Sequence, residues 1–284
     1  MGSGSLNATI IHVPADQPTI QAGIDEAMGG DTVLVADGTY TGPGNRDIDF
    51  GGKGIFVKSE NGSDVTIIDC EGSILDRHRG FYFHRGEDTT AVVAGFTVLN
   101  GWEFQGGGIL CEKNSSPTIM SNAINGNFRS GIWCVDSDPT ISNNTINDNA
   151  GGGIWCEDSS PPISNNTISG NSGSGISLVN SSATIINNTI SDNFSFFGGG
   201  IYCSNSSPII SNNIISENWD SAGGGGISAR RRHRQVAPRA RRHAREPPAH
   251  RQVRHPSDRR RRARQAGARH AAARHGRDRR RARD

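Results

Sequence analysis

Hydrophobic residues recur along this chain at a nearly constant spacing. A four-residue phrase of the type Gly153-Ile154-Trp155-Cys156 returns every 22 to 28 residues, with an apolar residue at its second and fourth positions. Two isoleucine columns, which include Ile119 and Ile124, keep the same period, so each repeat contains three short apolar segments. The second positions of the phrase align as Val33, Ile55, Phe81, Ile109, Ile132, Ile154, Ile176, Ile201 and Ile227.

Glycine, Ser-Ser-Pro and Ser-Asn-Asn stretches separate these apolar segments, and such residues favour turns over helices. A repeat of this length cannot bury its own apolar face and must stack on its neighbours. Parallel strand connections are strongly right-handed. We therefore predict an all-β fold, a single-stranded right-handed parallel β-helix with three short strands and about 22 residues per coil. Successive coils would rise by about 4.8 Å.

Asparagine occupies two further columns of the repeat. Stacked amides can hydrogen-bond from coil to coil, and asparagine tolerates the left-handed backbone of tight corners. We therefore predict asparagine ladders, and we do not interpret the Asn-X-Thr sequons of the same repeat as glycosylation sites. The columns are Asn122, Asn144, Asn166, Asn188 and Asn213, then Asn127, Asn149, Asn171, Asn193 and Asn218.

The N-terminal part of the sequence predicts a cap for the solenoid. Residues 1–9 form a leader whose Met-Gly-Ser-Gly-Ser start resembles an expression-tag remnant. Residues 10–31 predict a strand and then a short amphipathic helix, with Thr19 as N-cap and Gly29-Gly30 as its end. This helix would cover the first apolar coil of the solenoid, which is predicted to span residues 32–229.

Charge changes abruptly at the end of the repeat. Residues 1–229 carry 8 basic against 24 acidic side chains, a net charge of −16, whereas residues 230–284 carry 22 arginines against 4 acidic side chains, a net charge of +18. The segment has no lysine and two valines, a composition typical of a GC-rich gene read in a shifted frame. Such a segment cannot build a core, which predicts disorder or loose packing. The alternative is an arm that binds polyanions non-specifically.

Three phrases near the start resemble a known superfamily. They are Val-Pro-Ala-Asp-Gln-Pro-Thr-Ile-Gln at 13–21, Gly-Asp-Thr-Val-Leu-Val at 30–35 and Gly-Thr-Tyr at 38–40. They resemble the N-terminal entry of the pectate lyase and pectin methylesterase-like superfamily of bacterial right-handed parallel β-helix proteins. The resemblance implies a secreted or cell-surface polysaccharide lyase, hydrolase or esterase, although some members have no known activity. Asp49-Phe50-Gly51-Gly52 only partly matches the phrase that carries the catalytic aspartate of pectin methylesterases, so pectin de-esterification is not expected.

Strand alternation directs the third position of the phrase away from the core. This column contains Tyr82, Trp133, Trp155 and Tyr202, and exposed apolar surface usually marks a contact site. Flat rings about 5 Å apart suit the sugar rings of a polysaccharide. We therefore predict these four residues as substrate-binding. Two alternatives stay open: the neighbouring loops bury the column as a second small core, or the column is a protein interface.

Lys58, His84 and Glu112 follow the phrase in three successive repeats and would lie roughly 5 Å apart. A histidine beside a carboxylate can act as general acid or base near neutral pH, and a lysine can stabilise developing negative charge. We predict these residues as the catalytic candidates. The alternative is that they belong to an ordinary solvated surface of mixed charge.

Acidic residues at the next corner suggest a metal. Asp136, Glu157 and Asp158 could hold Ca²⁺, which favours several oxygen ligands. The superfamily's pectate lyases use calcium together with a basic residue, but residues 131–228 contain no arginine or lysine. Four of the five cysteines occupy the inward fourth position of the phrase, where we interpret them as small hydrophobic residues rather than metal ligands or redox groups.

The sequence thus favours an extracellular carbohydrate-binding or polysaccharide-degrading protein. The alternative is a structural or adhesive solenoid without catalysis, and a third hypothesis is ice binding through the in-register Thr145, Thr167 and Thr189. No apolar run is long enough to span a membrane. The coil that begins at Gly226-Ile227 leaves an unpaired strand edge, which predicts either a monomer whose tail folds back or an end-to-end dimer.

Overall fold

The computed structural model of the protein describes residues 8–221 and 225–230. The predictions for residues 230–284, including polyanion binding and their packing, fall almost entirely outside these residues, as does most of the predicted leader. Three parallel sheets, here called A, B and C, wind in that order around one core. This is the predicted parallel β-helix, with about 24 residues per turn.

The strands are short, and their bounds follow the predicted three segments per coil. Sheet A contains β1 (Ile10–Val13), β2 (Thr32–Val35), β5 (Phe56–Ser59), β8 (Val92–Ala94), β11 (Thr118–Met120), β14 (Thr140–Ser142), β17 (Pro162–Ser164), β20 (Thr184–Ile186) and β24 (Ile209–Ser211). Sheet B contains β3 (Gly38–Tyr40), β6 (Thr66–Asp69), β9 (Thr97–Leu99), β12 (Ala123–Asn125), β15 (Thr145–Asn147), β18 (Thr167–Ser169), β21 (Thr189–Ser191) and β25 (Ile214–Ser216).

Sheet C carries the recurrent four-residue phrase. It contains β4 (Ile48–Asp49), β7 (Phe81–Phe83), β10 (Ile109–Cys111), β13 (Ile132–Val135), β16 (Ile154–Glu157), β19 (Ile176–Val179), β23 (Ile201–Ser204) and β27 (Ile227–Arg230). A small additional sheet pairs β22 (Phe194–Ser195) with β26 (Trp219–Asp220) in two loops between sheets B and C.

Alternation along each strand builds the core. Ile154 and Cys156 point inward and are fully buried, and their register partners on the neighbouring coils are buried as well. The cysteines at this position are free thiols packed among isoleucines, as expected of small hydrophobic side chains. On sheet B, Thr145, Thr167 and Thr189 lie in register on the outward side.

The asparagine ladders are confirmed, and they satisfy polar groups inside the solenoid. The Nδ2 of Asn166 donates to the Oδ1 of Asn188 at 2.9 Å, to the carbonyl of Ile141 at 3.1 Å and to that of Ser164 at 3.0 Å. The Oδ1 of Asn166 accepts from both nitrogens of Asn144. Each buried amide therefore depends on the coil above and the coil below for its hydrogen bonds.

The predicted cap is helix α1 (Ile20–Glu26), whose Thr19 side chain accepts from the backbone nitrogen of Ala22 at 3.2 Å. The helix packs Gly23 so closely on the first coil that an added Cβ would lie 2.9 Å from a methyl group of Val33. It ends before the predicted Gly29-Gly30 because the backbone nitrogen of Met28 donates instead to the carboxylate of Asp31.

The alignment of the first two repeats was wrong. Val33 pairs with Val57 in sheet A, and Ile55 immediately precedes a strand of that sheet. The first member of the sheet C column is Ile48, which pairs with Phe81. The first coils are longer than the regular ones. An alignment that assumes a spacing near 22 residues therefore assigns Val33 and Ile55 to the sheet C column, although both lie at sheet A, one third of a coil away. Among the described residues, no helix is long and apolar enough to cross a membrane.

We expect Asn166→Ala to lower the free energy of unfolding by about 3 kcal/mol, because it leaves buried donors and acceptors of two neighbouring coils unpaired. Urea unfolding followed by circular dichroism measures this change. Asn147→Ala is the matched control, since that side chain donates to the carboxylate of Asp148 at the surface. Equal losses in the two variants would contradict a stabilising role for the ladder.

Candidate functional site

The outward face of sheet C brings the predicted substrate-binding residues together. Parallel register places one outward residue of each coil in a single column along the helix axis. Tyr82, Trp133, Trp155 and Tyr202 all lie in this column and are half-buried, whereas Leu110 and Ser177 between them are buried. From the N-terminal coil onward the column reads Asp49, Tyr82, Leu110, Trp133, Trp155, Ser177, Tyr202 and Ser228.

Three of these rings line a groove of about 540 Å³, which we call the aromatic groove. The ring centroids of Trp133 and Trp155 are 5.1 Å apart, with an interplanar angle of 28°. The ring of Tyr202 lies 6.1 Å from that of Phe197, which belongs to the opposite wall. The remaining lining is small or polar and includes Arg129, Ser130, Gly152, Ser174 and Ser195.

The loop of residues 100–108 separates this groove from the rest of the column. Leu110 next to it is buried, and an added Cβ at Gly106, whose φ is +60°, would lie 3.1 Å from the Cβ of Trp133. The ring of Phe104 lies 4.0 Å from the guanidinium carbon of Arg77 and 5.9 Å from that of Arg129. The rings of Tyr82 and Trp133 on either side of Leu110 are half-buried, so the column is not buried along its whole length.

On the N-terminal side of this loop, five polar residues form what we call the charged cluster: Asp49, Arg79, Tyr82, His84 and Glu112. The Tyr82 hydroxyl donates to Glu112 Oε1 at 2.5 Å, and its ring stacks on the imidazole of His84 with centroids 3.9 Å apart. The guanidinium carbon of Arg79 lies 4.7 Å from the centroid of the same ring. The Nε2 of His84 is 4.0 Å from the Oδ2 of Asp49.

Protonation in the charged cluster follows from these contacts. Partial burial would raise the pKa of Glu112, but hydrogen bonds from Tyr82 and Lys113 and the positive charges of Lys113 and Arg79 lower it overall. Burial and the hydrogen bond to Glu112 raise the pKa of Tyr82. Burial lowers the pKa of Arg79, against the attraction of Glu103. At neutral pH the cluster thus contains a carboxylate, a neutral phenol and a buried cation.

Several nitrogens on this face are buried and lack a hydrogen-bond partner within the described part of the chain. They are Nη1 of Arg79, Nδ1 of His84 and the Nε1 atoms of Trp133 and Trp155. Buried polar atoms are usually paired, so unpaired ones need an explanation. Their concentration on one face distinguishes it from the other two sheets, where a single such atom, Oγ1 of Thr66, is present among the described residues.

The prediction that the three catalytic candidates lie side by side was wrong for Lys58. His84 and Glu112 lie on neighbouring coils, and both contact Tyr82. Lys58, by contrast, lies in sheet A, in register with Ala94. The phase error in the first repeats placed Lys58 in the wrong column. Arg79 supplies the cation instead.

Sequence reasoning missed two members of the cluster. Arg79 is not among the predicted site residues, although its position two residues before Phe81 was a signal. Asp49 is singled out in the sequence only for its partial match to the pectin methylesterase phrase, and it is not predicted in this column because the column alignment starts at Val33 instead of Ile48.

The predicted calcium residues lie at the corner between sheets C and A. Asp136 and Asp158 occupy equivalent left-handed positions, with φ of 47° and 48°, and both side chains are exposed. The backbone nitrogen of Asp136 donates to the carbonyl of Glu157 at 3.2 Å. Within residues 8–221 and 225–230, no three acidic, histidine or cysteine side chains converge as a metal would require. Calcium binding by these three residues stays a prediction.

We expect Glu112→Gln to lower the free energy of unfolding at pH 7 by about 1 to 2 kcal/mol, because a charge-assisted hydrogen bond is lost. The folded-state pKa of Glu112 is depressed, so its contribution is present above the ordinary value of 4.5 and is lost as the pH falls through the folded-state value. Urea unfolding at pH 7 and at successively lower pH measures the difference between wild type and variant. Glu60→Gln, at an exposed carboxylate, is the control. A pH-independent difference would contradict the assignment.

Comparisons with known proteins bear mainly on the fold. A family model described as "Right handed beta helix region" matches residues 32–190 and 162–237. No curated protein matches the chain.

The chain is also similar to two solved structures. Pectate lyase Pel9A is 16% identical with a TM-score of 0.39, over 78% of this chain and 82% of that one. The A-module of Azotobacter vinelandii mannuronan C-5 epimerase AlgE6 is 16% identical with a TM-score of 0.26, over 74% of this chain and 86% of that one.

Proposed function

Because the chain belongs to the right-handed β-helix family, whose outward faces are free to carry a site, we propose that it binds a polysaccharide along the outer face of sheet C. The observation that carries this proposal is the aromatic groove, in which Trp133, Trp155 and Tyr202 line one continuous depression. The charged cluster, on the same face, is proposed to perform acid-base chemistry on the bound chain. A polysaccharide ligand would place the protein outside the cell or on its surface.

Spacing in the groove supports sugar binding. The rings of Trp133 and Trp155 are 5.1 Å apart, and the buried Ser177 leaves one coil without a ring before Tyr202. Trp155 and Tyr202 are thus two coils apart. With a rise of about 4.8 Å per coil, the space between their rings is roughly as wide as a pyranose ring. A sugar could therefore lie over Ser177, with its apolar faces against the rings at both ends.

Polar groups around the rings would fix the orientation of the sugar. Ser130 and Ser174 lie in the lining, and Arg129 supplies a cation at one end. Sites of this kind combine apolar rings with a few convergent polar groups. None of the described residues that line the groove is acidic, so it is compatible with neutral or anionic sugars.

The charged cluster contains the groups that a lyase or a glycoside hydrolase needs. Glu112 is a carboxylate held by Tyr82, and His84 has a buried Nδ1 without a partner in the described structure. Either group could move a proton to or from a substrate atom, and Arg79 could stabilise negative charge. The side chains of His84 and Glu112 are 19% and 20% exposed, so a ligand can reach both.

One observation favours a second candidate function, binding without catalysis. Leu110 lies in the column between the charged cluster and the aromatic groove and is buried, and Gly106 of the 100–108 loop approaches Trp133 beside it. A glycan chain would have to pass over Phe104 to reach both halves. If no ligand does so, the protein is an adhesive or structural solenoid, and the cluster stabilises the first coils.

We expect Trp155→Ala to weaken polysaccharide binding about tenfold or more, because a buried aromatic anchor dominates contacts of this kind. Affinity electrophoresis against a panel of neutral and acidic polysaccharides measures the change. Trp219→Ala removes the same side chain from an exposed position outside the groove and should leave binding unchanged. The proposal fails if no polysaccharide retards the wild-type protein.

For the charged cluster, we expect His84→Ala and Glu112→Gln each to reduce turnover of a retained polysaccharide by about 100-fold, the usual contribution of acid-base groups. New reducing ends and the ultraviolet absorbance of unsaturated sugars measure turnover, and retention on the same polysaccharide shows that binding persists. Lys58→Ala should have wild-type activity, because Lys58 lies on sheet A. A wild-type protein that binds but forms no product supports the adhesive alternative.

A further inference from the structure

The two ends of the solenoid differ, because only the first coil has a cap within the described residues. Helix α1 covers that coil, and its Ile20 and Ile24 are buried. At the C-terminal end, sheets A, B and C finish in the edge strands β24, β25 and β27. Among the described residues, each of the three pairs only with the coil before it. Such edges are templates for pairing with another chain.

The inward side chains of the last coil are not fully buried. Ile210 and Ile215 pack against the core but are only partly buried. Ile227 is 50% exposed, whereas its register partner Ile201 on the preceding coil is fully buried. The apolar core of the solenoid therefore reaches solvent at this end.

The outward side chains of the same coil are apolar as well, unlike those of the coils before it. Ile209 and Ile214 are 63% and 62% exposed. The outward positions run Pro162, Thr184 and Ile209 on sheet A, and Thr167, Thr189 and Ile214 on sheet B. Isoleucine thus replaces threonine only where the stack ends. Contiguous exposed apolar surface of this kind marks a contact site.

A second copy of the chain is the occupant that suits this end. Residues 231–284 contain two valines and no isoleucine, leucine, methionine, phenylalanine, tyrosine or tryptophan, so they lack the side chains that cover an apolar face. Between residues 205 and 228, the only charged side chains are those of Glu217 and Asp220. The last coil therefore repels an identical coil only weakly and offers it a matching apolar surface.

We propose that two copies of the chain associate through their C-terminal ends, related by a two-fold axis perpendicular to the solenoid axis. The edge strands of the two copies then run antiparallel and supply each other's missing backbone hydrogen bonds. Because helix α1 covers the opposite end of each copy, association stops at a dimer and does not continue into a filament. This proposal does not rest on the function proposed for the aromatic groove.

The position of the axis follows from the sequence of the edges. β24 and β25 both read Ile-Ile-Ser, with the outward isoleucine first and the inward one second. A two-fold axis across sheet C places β24 of one copy opposite β25 of its partner, so that Ile210 meets the partner's Ile215 and the core is closed. Sheet C then continues into sheet C of the partner, and both aromatic grooves open on one side of the dimer.

Sedimentation equilibrium of the full chain in about 0.15 M and about 1 M salt tests the proposal. We expect a monomer–dimer equilibrium at micromolar concentration that tightens as salt rises, because salt screens the repulsion between the two copies of the basic residues 230–284. Attraction between those residues and the acidic coils of another copy would give the opposite salt dependence.

We expect the double variant Ile209→Thr with Ile214→Thr to weaken the dimer about tenfold or more, because its apolar contact area is lost. Threonine occupies the equivalent positions of the preceding coil, so the fold should persist, and circular dichroism checks this. Ile74→Thr is the matched control, since that isoleucine is 66% exposed in a loop far from the last coil, and it should dimerise as the wild type does.

Three results with the wild type would overturn the proposal: a monomer at every concentration, a dimer that dissociates as salt rises, or assemblies larger than a dimer. A double variant that dimerises as tightly as the wild type, or an equal loss in Ile74→Thr, would overturn it as well. If the double variant does not fold, Ser211→Lys decides, because it places a charge on the exposed side of the same edge strand. That variant should also weaken the dimer about tenfold, and wild-type association would contradict the proposal.

Discussion

The structure depends on hydrogen bonds between buried asparagine amides of successive coils. An unpaired amide in an apolar core is costly, and each ladder amide finds part of its hydrogen bonds only when the next coil is in register. Asn144, Asn166 and Asn188 thus fix how one coil sits on another, since a slip of one residue would leave them unpaired. The inward isoleucines are buried in the same arrangement, but their burial by itself does not specify the register.

This fixed register makes the outward faces functional. Because coils stack in register, one outward position per coil becomes a column of side chains, as with Trp133 and Trp155. The loops between sheets B and C are free to vary in length, and they supply the remaining walls, including Phe128 and Phe197. The core therefore sets the spacing of ligand-binding groups, while the loops decide their chemistry.

Much of the fold could be predicted because the regular spacing of apolar residues and asparagines shows the repeat directly. The three strands per coil, the asparagine ladders and the similarity to right-handed β-helix proteins are confirmed. The phase of the first coils could not be predicted, because insertions there shift the chain without changing the apparent period. Lys58 was misplaced for this reason.

The candidate site was predictable only in part. The column of rings follows from strand alternation, so Tyr82, Trp133, Trp155 and Tyr202 were found together. The path of the 100–108 loop depends on contacts such as that of Phe104 with Arg77, which no periodic pattern encodes. The same holds for the stacking of Trp102 on Phe128. The asparagine ladders also have a direction: between ladder members, from Asn122 to Asn193, each Nδ2 donates to the Oδ1 of the asparagine on the next coil toward the C-terminus. Aligned amide dipoles polarise one another, so the solenoid is electrically polar along its axis although neither ladder carries a net charge.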